Sequence, residues 1–160
     1  MKMTISQLIL EDLILFDDSI RSKKSLFECL GNMLESAGRI KDSKKIIRAF
    51  FKREAEVSTG IEDGFGIPHA KSKYVLVPTV CFIHSGKITE YLGVDGIPIE
   101  YVFAIVVPSK SSASHLEILS MLSRQLVDSS FRKQIKEATS RKKIMTILKN
   151  IEGSEPYVLN

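Results

Sequence analysis

The chain has 160 residues, 44% of them hydrophobic and 26% charged, with a formal net charge of +4. That is the balance of an ordinary soluble globular protein of one domain, with enough apolar material for a core that needs no metal or disulfide staple. The positive charge raises nucleic acid as a partner, but Lys and Arg are spread over helical segments without aromatic interleaving, so none is expected.

In chain order, the N-terminal stretch MKMTISQLILEDLILF is broken by Glu11 and Asp12 and is no signal peptide. No apolar run approaches membrane-spanning length, so the expectation is a cytoplasmic protein without direct membrane insertion. Residues 5–16 suggest a short helical or extended lead-in. Ser22 or Ser25 can cap a helix through about Ala37, with Leu26, Phe27, Leu30, Met33 and Leu34 as its apolar stripe and Gly38 as its stop. Asp42 can cap the next helix, in which Ile46, Ile47, Phe50 and Phe51 face inward up to about Glu54.

Two β-like runs follow, Thr79 to His84 and Tyr101 to Val107. The second is apolar almost throughout, as in a strand covered on both faces. Between them, Gly86 to Ile99 reads as turns around short strands, and His84 reads as a structural residue at a strand end. Pro108 closes the second strand. Ser109, Ser111, Ser112 and Ser114 then lead into an amphipathic helix carrying His115, Leu119, Leu122 and Leu126 on one stripe. Ser130 to Ala138 and Ser140 to Asn150 suggest two short helices. The domain is expected over 1–150, with 151–160 as a loosely held tail. The two cysteines, Cys29 and Cys81, lie far apart in apolar surroundings without a CxxC partner. They read as reduced core thiols, and no metal or other cofactor is expected.

The chemistry concentrates between Ser58 and Lys71, STGIEDGFGIPHAK. Gly60, Gly64 and Gly66 allow backbone to approach a ligand with N–H groups free. Pro68 fixes its own φ and holds Ile67 extended, so His69 follows at a defined angle. Imidazole titrates near neutrality, which makes a nucleophilic neutral form available. The residues alone leave two readings open: a presented nucleophile or ligand beside an anion nest, or a glycine-rich turn with a surface histidine. Arg53 is likewise either a solvated cation at a helix C-terminus or a guanidinium fork for phosphate. His115, in the first turn of its helix, either caps a core stripe or stands where unpaired N–H groups favour an anion.

A resemblance to a known family bears on these choices. GIxxGxxIPHAK, here Gly60 to Lys71, with Arg53 and Glu54 upstream, resembles the active-site segment of phosphotransferase-system (PTS) EIIA domains of the fructose–mannitol class. A second signature, His-Leu-x-Ile-Leu-Ser-x-Leu, stands at His115 to Leu122, and the resemblance runs from about Ile5 to Leu148. It implies an α/β fold, a single-domain mixed β-sheet flanked by helices on both faces. It also implies a phosphotransferase that accepts phosphate from HPr on a histidine and passes it to a IIB component, for uptake through a membrane IIC permease. The alternative within the family is a regulatory, nitrogen-type IIA protein. Carried onto matching positions, His69 would be the phosphorylated nucleophile, through Nε2. His115 would bond the phosphoryl oxygens, and Arg53 would neutralise their charge. Gly64 and Gly66 would belong to a phosphate-binding loop, and no metal is implied. The sequence departs from the family at Asp63, where Asn is common, and at Phe65 and Gly66. Glu62 and Asp63 are expected to face outward, as a local acidic feature for docking arginines of HPr; Asp63 could instead be a turn residue.

Overall fold

The computed structural model describes residues 2–110, 112–152 and 157–158. Short lead-in elements come first: β1 (Lys2–Met3), α1 (Ile5–Leu8), a 3₁₀ turn (Glu11–Leu13) and β2 (Ile14–Asp17). Helix α2 (Lys23–Ser36) starts at Ser22, whose side chain accepts the Ser25 N–H at 3.0 Å. It stops at Gly38, whose φ of 71° lets the Arg39 N–H turn back to the Leu34 carbonyl. Asp42 caps α3 (Ser43–Glu56) through the Lys45 N–H. Caps of this kind are each worth about 1 kcal/mol, and they mark helix ends wherever the sequence supplies Ser, Asp or Gly in register.

The sheet is mixed, as expected. β2 runs parallel to β5 (Thr79–Leu92), β5 antiparallel to β6 (Pro98–Pro108), and β6 parallel to both β3 (Phe65–Gly66) and β4 (His69–Ser72). Phe65 pairs with Tyr101 and His69 with Ile105, so the register is unchanged across the gap at Ile67–Pro68. Proline has no N–H to donate, but the Pro68 carbonyl still accepts the Ile105 N–H at 3.0 Å. His69 is therefore locked to the central strand just past a proline break.

Helices α4 (Ser112–Val127), α5 (Ser129–Glu137) and α6 (Arg141–Glu152) complete the fold. α2 and α3 pack on each other, with Phe27 stacked on Phe50 at 5.4 Å, and lie against β5 and β4. α4 packs on β6 and α6 on β2, while Phe131 of α5 stacks on Phe103 of β6 at 6.3 Å. Covered on both faces, Val102 through Val107 of β6 are each at most 1% exposed. Burying each large side chain there contributes roughly 1.5–3 kcal/mol, which makes β6 the spine of the core.

Three expectations are revised. Gly86 does not begin a turn: β5 continues through it to Leu92, with register shifts between His84 and Ile88 and again before Leu92. A Cβ at Gly86 would collide with the Asp18 carbonyl, so the glycine serves a close approach inside an irregular strand. Phe51 is 39% exposed rather than inward, although its ring still meets the edge of Phe27 at 4.9 Å. Cys81 is buried as read, but Cys29 is only half-buried; both thiols are free. Of the expected tail, 151–152 continue α6 and β7 (Tyr157–Val158) pairs antiparallel with β1, while the rest lies outside the described residues. Among the described residues, no helix is long and apolar enough to cross a membrane.

Candidate functional site

Arg53, His69 and His115, far apart in sequence, converge on one cleft of about 250 Å³ at edge strand β4. One wall is a single face of α3, with Ala49, Lys52, Arg53 and Glu56 at helical spacing. His69, Ala70 and Lys71 form the floor, and His115 comes from the first turn of α4.

His69 is 9% exposed, and both of its ring nitrogens have partners. Nδ1 lies 2.8 Å from the Ile67 carbonyl oxygen. A carbonyl can only accept, so Nδ1 carries the proton. Nε2 lies 3.0 Å from Arg53 Nε, and a guanidinium can only donate, so Nε2 presents its lone pair. Two independent bonds therefore specify one tautomer of a neutral ring. The guanidinium is oriented in turn by a 2.9 Å bond from Nη1 to the Val57 carbonyl, just beyond the end of α3.

The electrostatics keep both histidines neutral. Burial, the largest influence, lowers the His69 pKa; the Ile67 carbonyl opposes it, and the Arg53 charge adds to the lowering. His115 is lowered further, to about 4, by burial first and then by His69, Lys71 and Arg53. The two rings meet edge to face with centroids 5.1 Å apart. His115 Nε2 is buried and has no hydrogen-bond partner among the described residues. Lys52, Arg53 and Lys71 outnumber Glu56 in the lining, so the cleft attracts anions.

The His115 shift has a measurable consequence. The unfolded ring takes up its proton near 6.5, while the folded ring resists protonation down to about 4. Between these values the unfolded chain binds more protons, so stability is present above 6.5 and is lost on acidification through this window. Thermal unfolding followed across it is expected to show a smaller loss in His115→Gln than in the parent. Equal losses in the two proteins would clear His115 of responsibility.

The glycines do different work from that expected. Neither Gly64 nor Gly66 lines the cleft. Gly66 is paired in β3, and a Cβ there would come 2.8 Å from the Tyr91 hydroxyl. The Gly64 carbonyl accepts the Tyr101 N–H at 2.9 Å, and its φ is +81°. Gly60 and Gly93 sit against the carbonyls of Leu92 and Ile61, closer than any side chain permits. Three of the loop's N–H groups bond within it, Ile61 to Phe65, Phe65 to Glu62 and Ile67 to Thr59, and that of Asp63 bonds Asp95. These glycines let the loop lie flat on the β5–β6 hairpin, and Gly64 and Gly66 stand outside the cleft.

Of the acidic pair, Glu62 is exposed as expected, while Asp63 is turned inward. Asp63 takes a positive φ of 62° and turns onto α5, where it pairs with Arg132 at 3.0 Å and with Lys136. Partial burial alone would raise its carboxyl, but the hydrogen bonds and charges of Lys136 and Arg132 outweigh this and hold it below the usual range. Glu62 reaches the same Arg132 at 3.5 Å. Arg132 and Lys136 offset the charges of Glu62 and Asp63, while Asp95, which accepts the Asp63 N–H at 2.9 Å, adds a further carboxylate to the same corner. Asp63 serves the turn and ties it to α5. His84 is structural, but inside β5 rather than at a strand end, stacked on Tyr101 at 4.5 Å with Nε2 3.3 Å from Glu100. Among the described residues, no group of three or more His, Cys, Asp or Glu is placed to hold a metal.

Lys52 and Glu56 in the cleft wall were not anticipated, although their spacing from Arg53 on α3 was a usable signal. Thr59 and Tyr91, buried behind the cleft, carried no local signal at all.

Fold and cleft together define an α/β domain built around a neutral, oriented histidine set to meet an anion. The chain belongs to the EIIA 2 family of the phosphoenolpyruvate-dependent sugar phosphotransferase system, whose model matches residues 7–151. It is 34% identical over 140 residues to the PTS system fructose-specific EIIA component of Haloferax volcanii, covering 88% of this chain and 91% of that protein. It is 34% identical to the fructose-specific EIIABC component of Bacillus subtilis, where the match spans 91% of this chain but 23% of that longer protein. The crystal structure of nitrogen regulatory protein IIA-Ntr from Neisseria meningitidis superimposes with a TM-score of 0.83 at 30% identity, covering 90% of this chain and 98% of that one. IIA mannitol from Escherichia coli shares the fold, with a TM-score of 0.71 at 19% identity, over 86% of this chain and 96% of that one.

Proposed function

We propose that the protein is a cytoplasmic phosphocarrier for sugar uptake. It takes a phosphoryl group from phospho-HPr on Nε2 of His69 and passes it to a IIB component that serves a membrane IIC permease. The observation that carries this reading is the pair of bonds fixing His69, Nδ1–H to Ile67 and Nε2 toward Arg53. In the forward step the bond between phosphorus and the donor histidine breaks as the Nε2–P bond forms. Nδ1 keeps its proton, and the positive charge that develops on the ring is stabilised by the Ile67 carbonyl. Arg53 leaves Nε2 for the phosphoryl oxygens, joined by Lys71 and His115 Nε2. Phosphoryl transfer needs little more than this positioning and charge. The fructose-specific relatives make fructose the first sugar to test. An Escherichia coli complex of enzyme IIA mannitol with phosphorylated IIB mannitol, similar in fold at 18% identity, makes a IIB protein the acceptor to test.

A second reading, a regulatory IIA whose phosphorylation state controls binding to other proteins, is favoured by the 30% identity to the Neisseria nitrogen regulatory protein. The purified protein incubated with the first PTS enzyme, HPr and phosphoenolpyruvate is expected to gain one acid-labile, base-stable phosphoryl group. That group should discharge onto a fructose-type IIB. Phosphorylation without discharge to any IIB would move the protein to the regulatory reading, and no phosphorylation would overturn both.

A further inference from the structure

Behind the cleft lies a largely buried polar network that touches none of the reacting atoms. Glu54, next to Arg53 in α3, is 8% exposed and points inward. Its two carboxylate oxygens accept the Thr59 N–H at 3.2 and 3.3 Å, and one of them accepts the Thr59 hydroxyl at 2.6 Å. With that proton committed, Thr59 Oγ1 accepts the hydroxyl of Tyr91 from β5 at 2.5 Å. Burial pushes the Tyr91 phenol up, so it remains a donor. Lys23 Nζ stands 3.9 Å from Glu54 and over the Tyr91 ring. A buried carboxylate is tolerated only when its partners are present, and such a network holds its members in one arrangement.

Thr59 is where the two arms of the histidine clamp meet. Its carbonyl accepts the Ile67 N–H at 3.0 Å, and the Ile67 carbonyl accepts the His69 Nδ1–H at 2.8 Å. Two residues before Thr59, the Val57 carbonyl accepts Arg53 Nη1 at 2.9 Å. We propose that Thr59, held by Glu54 and Tyr91, is a positioning residue for phosphoryl transfer, setting the Ile67 and Val57 carbonyls and through them the tautomer of His69 and the aim of Arg53. This rests on the reading of His69 as the phosphorylated residue.

Thr59→Val removes the hydroxyl while keeping the branched shape; Thr59→Ser keeps the hydroxyl. The tautomer of His69 is read by long-range ¹H–¹⁵N correlation on the unphosphorylated protein, and the transfer rate from phospho-HPr is measured separately. In the parent, Nδ1 should be the protonated nitrogen. Thr59→Val is expected to give a mixture of tautomers and a rate lower by roughly 10–100-fold, the range found when the partners that orient a metal-binding histidine are removed. The fall should lie in the maximal rate, not in the HPr concentration needed. Thr59→Ser should restore both readouts. Should Thr59→Val fail to fold, Tyr91→Phe carries the test, with a shift of tautomer in the same direction. An unchanged tautomer and rate in Thr59→Val, or an unchanged tautomer in Tyr91→Phe where that variant carries the test, would overturn the proposal. So would a Thr59→Ser protein as slow as Thr59→Val. Because the tautomer is read without any phosphoryl donor, a parent protein that accepted no phosphate would remove the reading of His69 and still leave the network decided.

Discussion

His69→Ala is expected to take up no phosphoryl group from phospho-HPr, the largest effect of any single substitution in this chain. The argument turns on whether another imidazole could stand in. His115 lies beside His69 in the same cleft, with ring centroids 5.1 Å apart, so it is the nearest substitute. Burial and the charges of Lys71 and Arg53, which the substitution leaves in place, hold its basicity down, and nucleophilicity falls with basicity. It also lacks the Arg53 and Ile67 bonds that orient the His69 ring. His84 is stacked on Tyr101 and bonded to Glu100, and it does not line the cleft. His69→Gln, which fills more of the space, serves as the control for folding and should be equally inert. Incorporation of labelled phosphate measured for both variants decides the matter. Uptake by either at a rate near the parent's would place the phosphoryl group elsewhere.

How much of this was legible in the sequence depended on whether the cause was local. Ser22, Gly38 and Asp42 act on residues within one helical turn, and the helices began and ended where these predicted. The apolar run at 102–107 advertised its own burial. The mixed sheet with helices on both faces came from the family resemblance, as did the choice of the functional over the bland reading for Arg53 and His115. What the sequence concealed was non-local. Gly86 has the composition of a turn, yet its reason is the Asp18 carbonyl on a neighbouring segment. Gly60, Gly64 and Gly66 resemble an anion cradle because close approach to backbone and close approach to ligand place the same demand on a residue. The partners of Asp63 are Arg132 and Lys136, 69 and 73 residues away, so a carboxylate that reads as exposed on the chain is paired in the fold. Thr59 likewise reads as loop filler until Glu54 and Tyr91 close around it.

Arg53→Ala is expected to slow phosphoryl uptake by roughly 10²–10³, the usual effect of removing one preorganised donor from developing charge. The guanidinium is fixed at two points, Nε toward His69 Nε2 and Nη1 on the Val57 carbonyl, so its plane is set before the phosphoryl group arrives. Arg53→Lys keeps the charge but has no planar fork to span both contacts, and it should recover only a small part of the rate. The two variants separate further in their pH dependence. The Arg53 charge lowers the His69 pKa, so its removal lets the ring protonate at higher pH. A protonated ring has no lone pair on Nε2. The acid limb of the rate profile should therefore move to higher pH in Arg53→Ala and much less in Arg53→Lys. Rates measured across neutral and mildly acidic pH, with folding checked by thermal unfolding, separate the fork from the charge. If Arg53→Ala transferred at the parent's rate, Arg53 would return to the solvated helix-end cation that its sequence position also permits. A Lys variant as fast as the parent would show that charge alone suffices and that the bidentate geometry is idle.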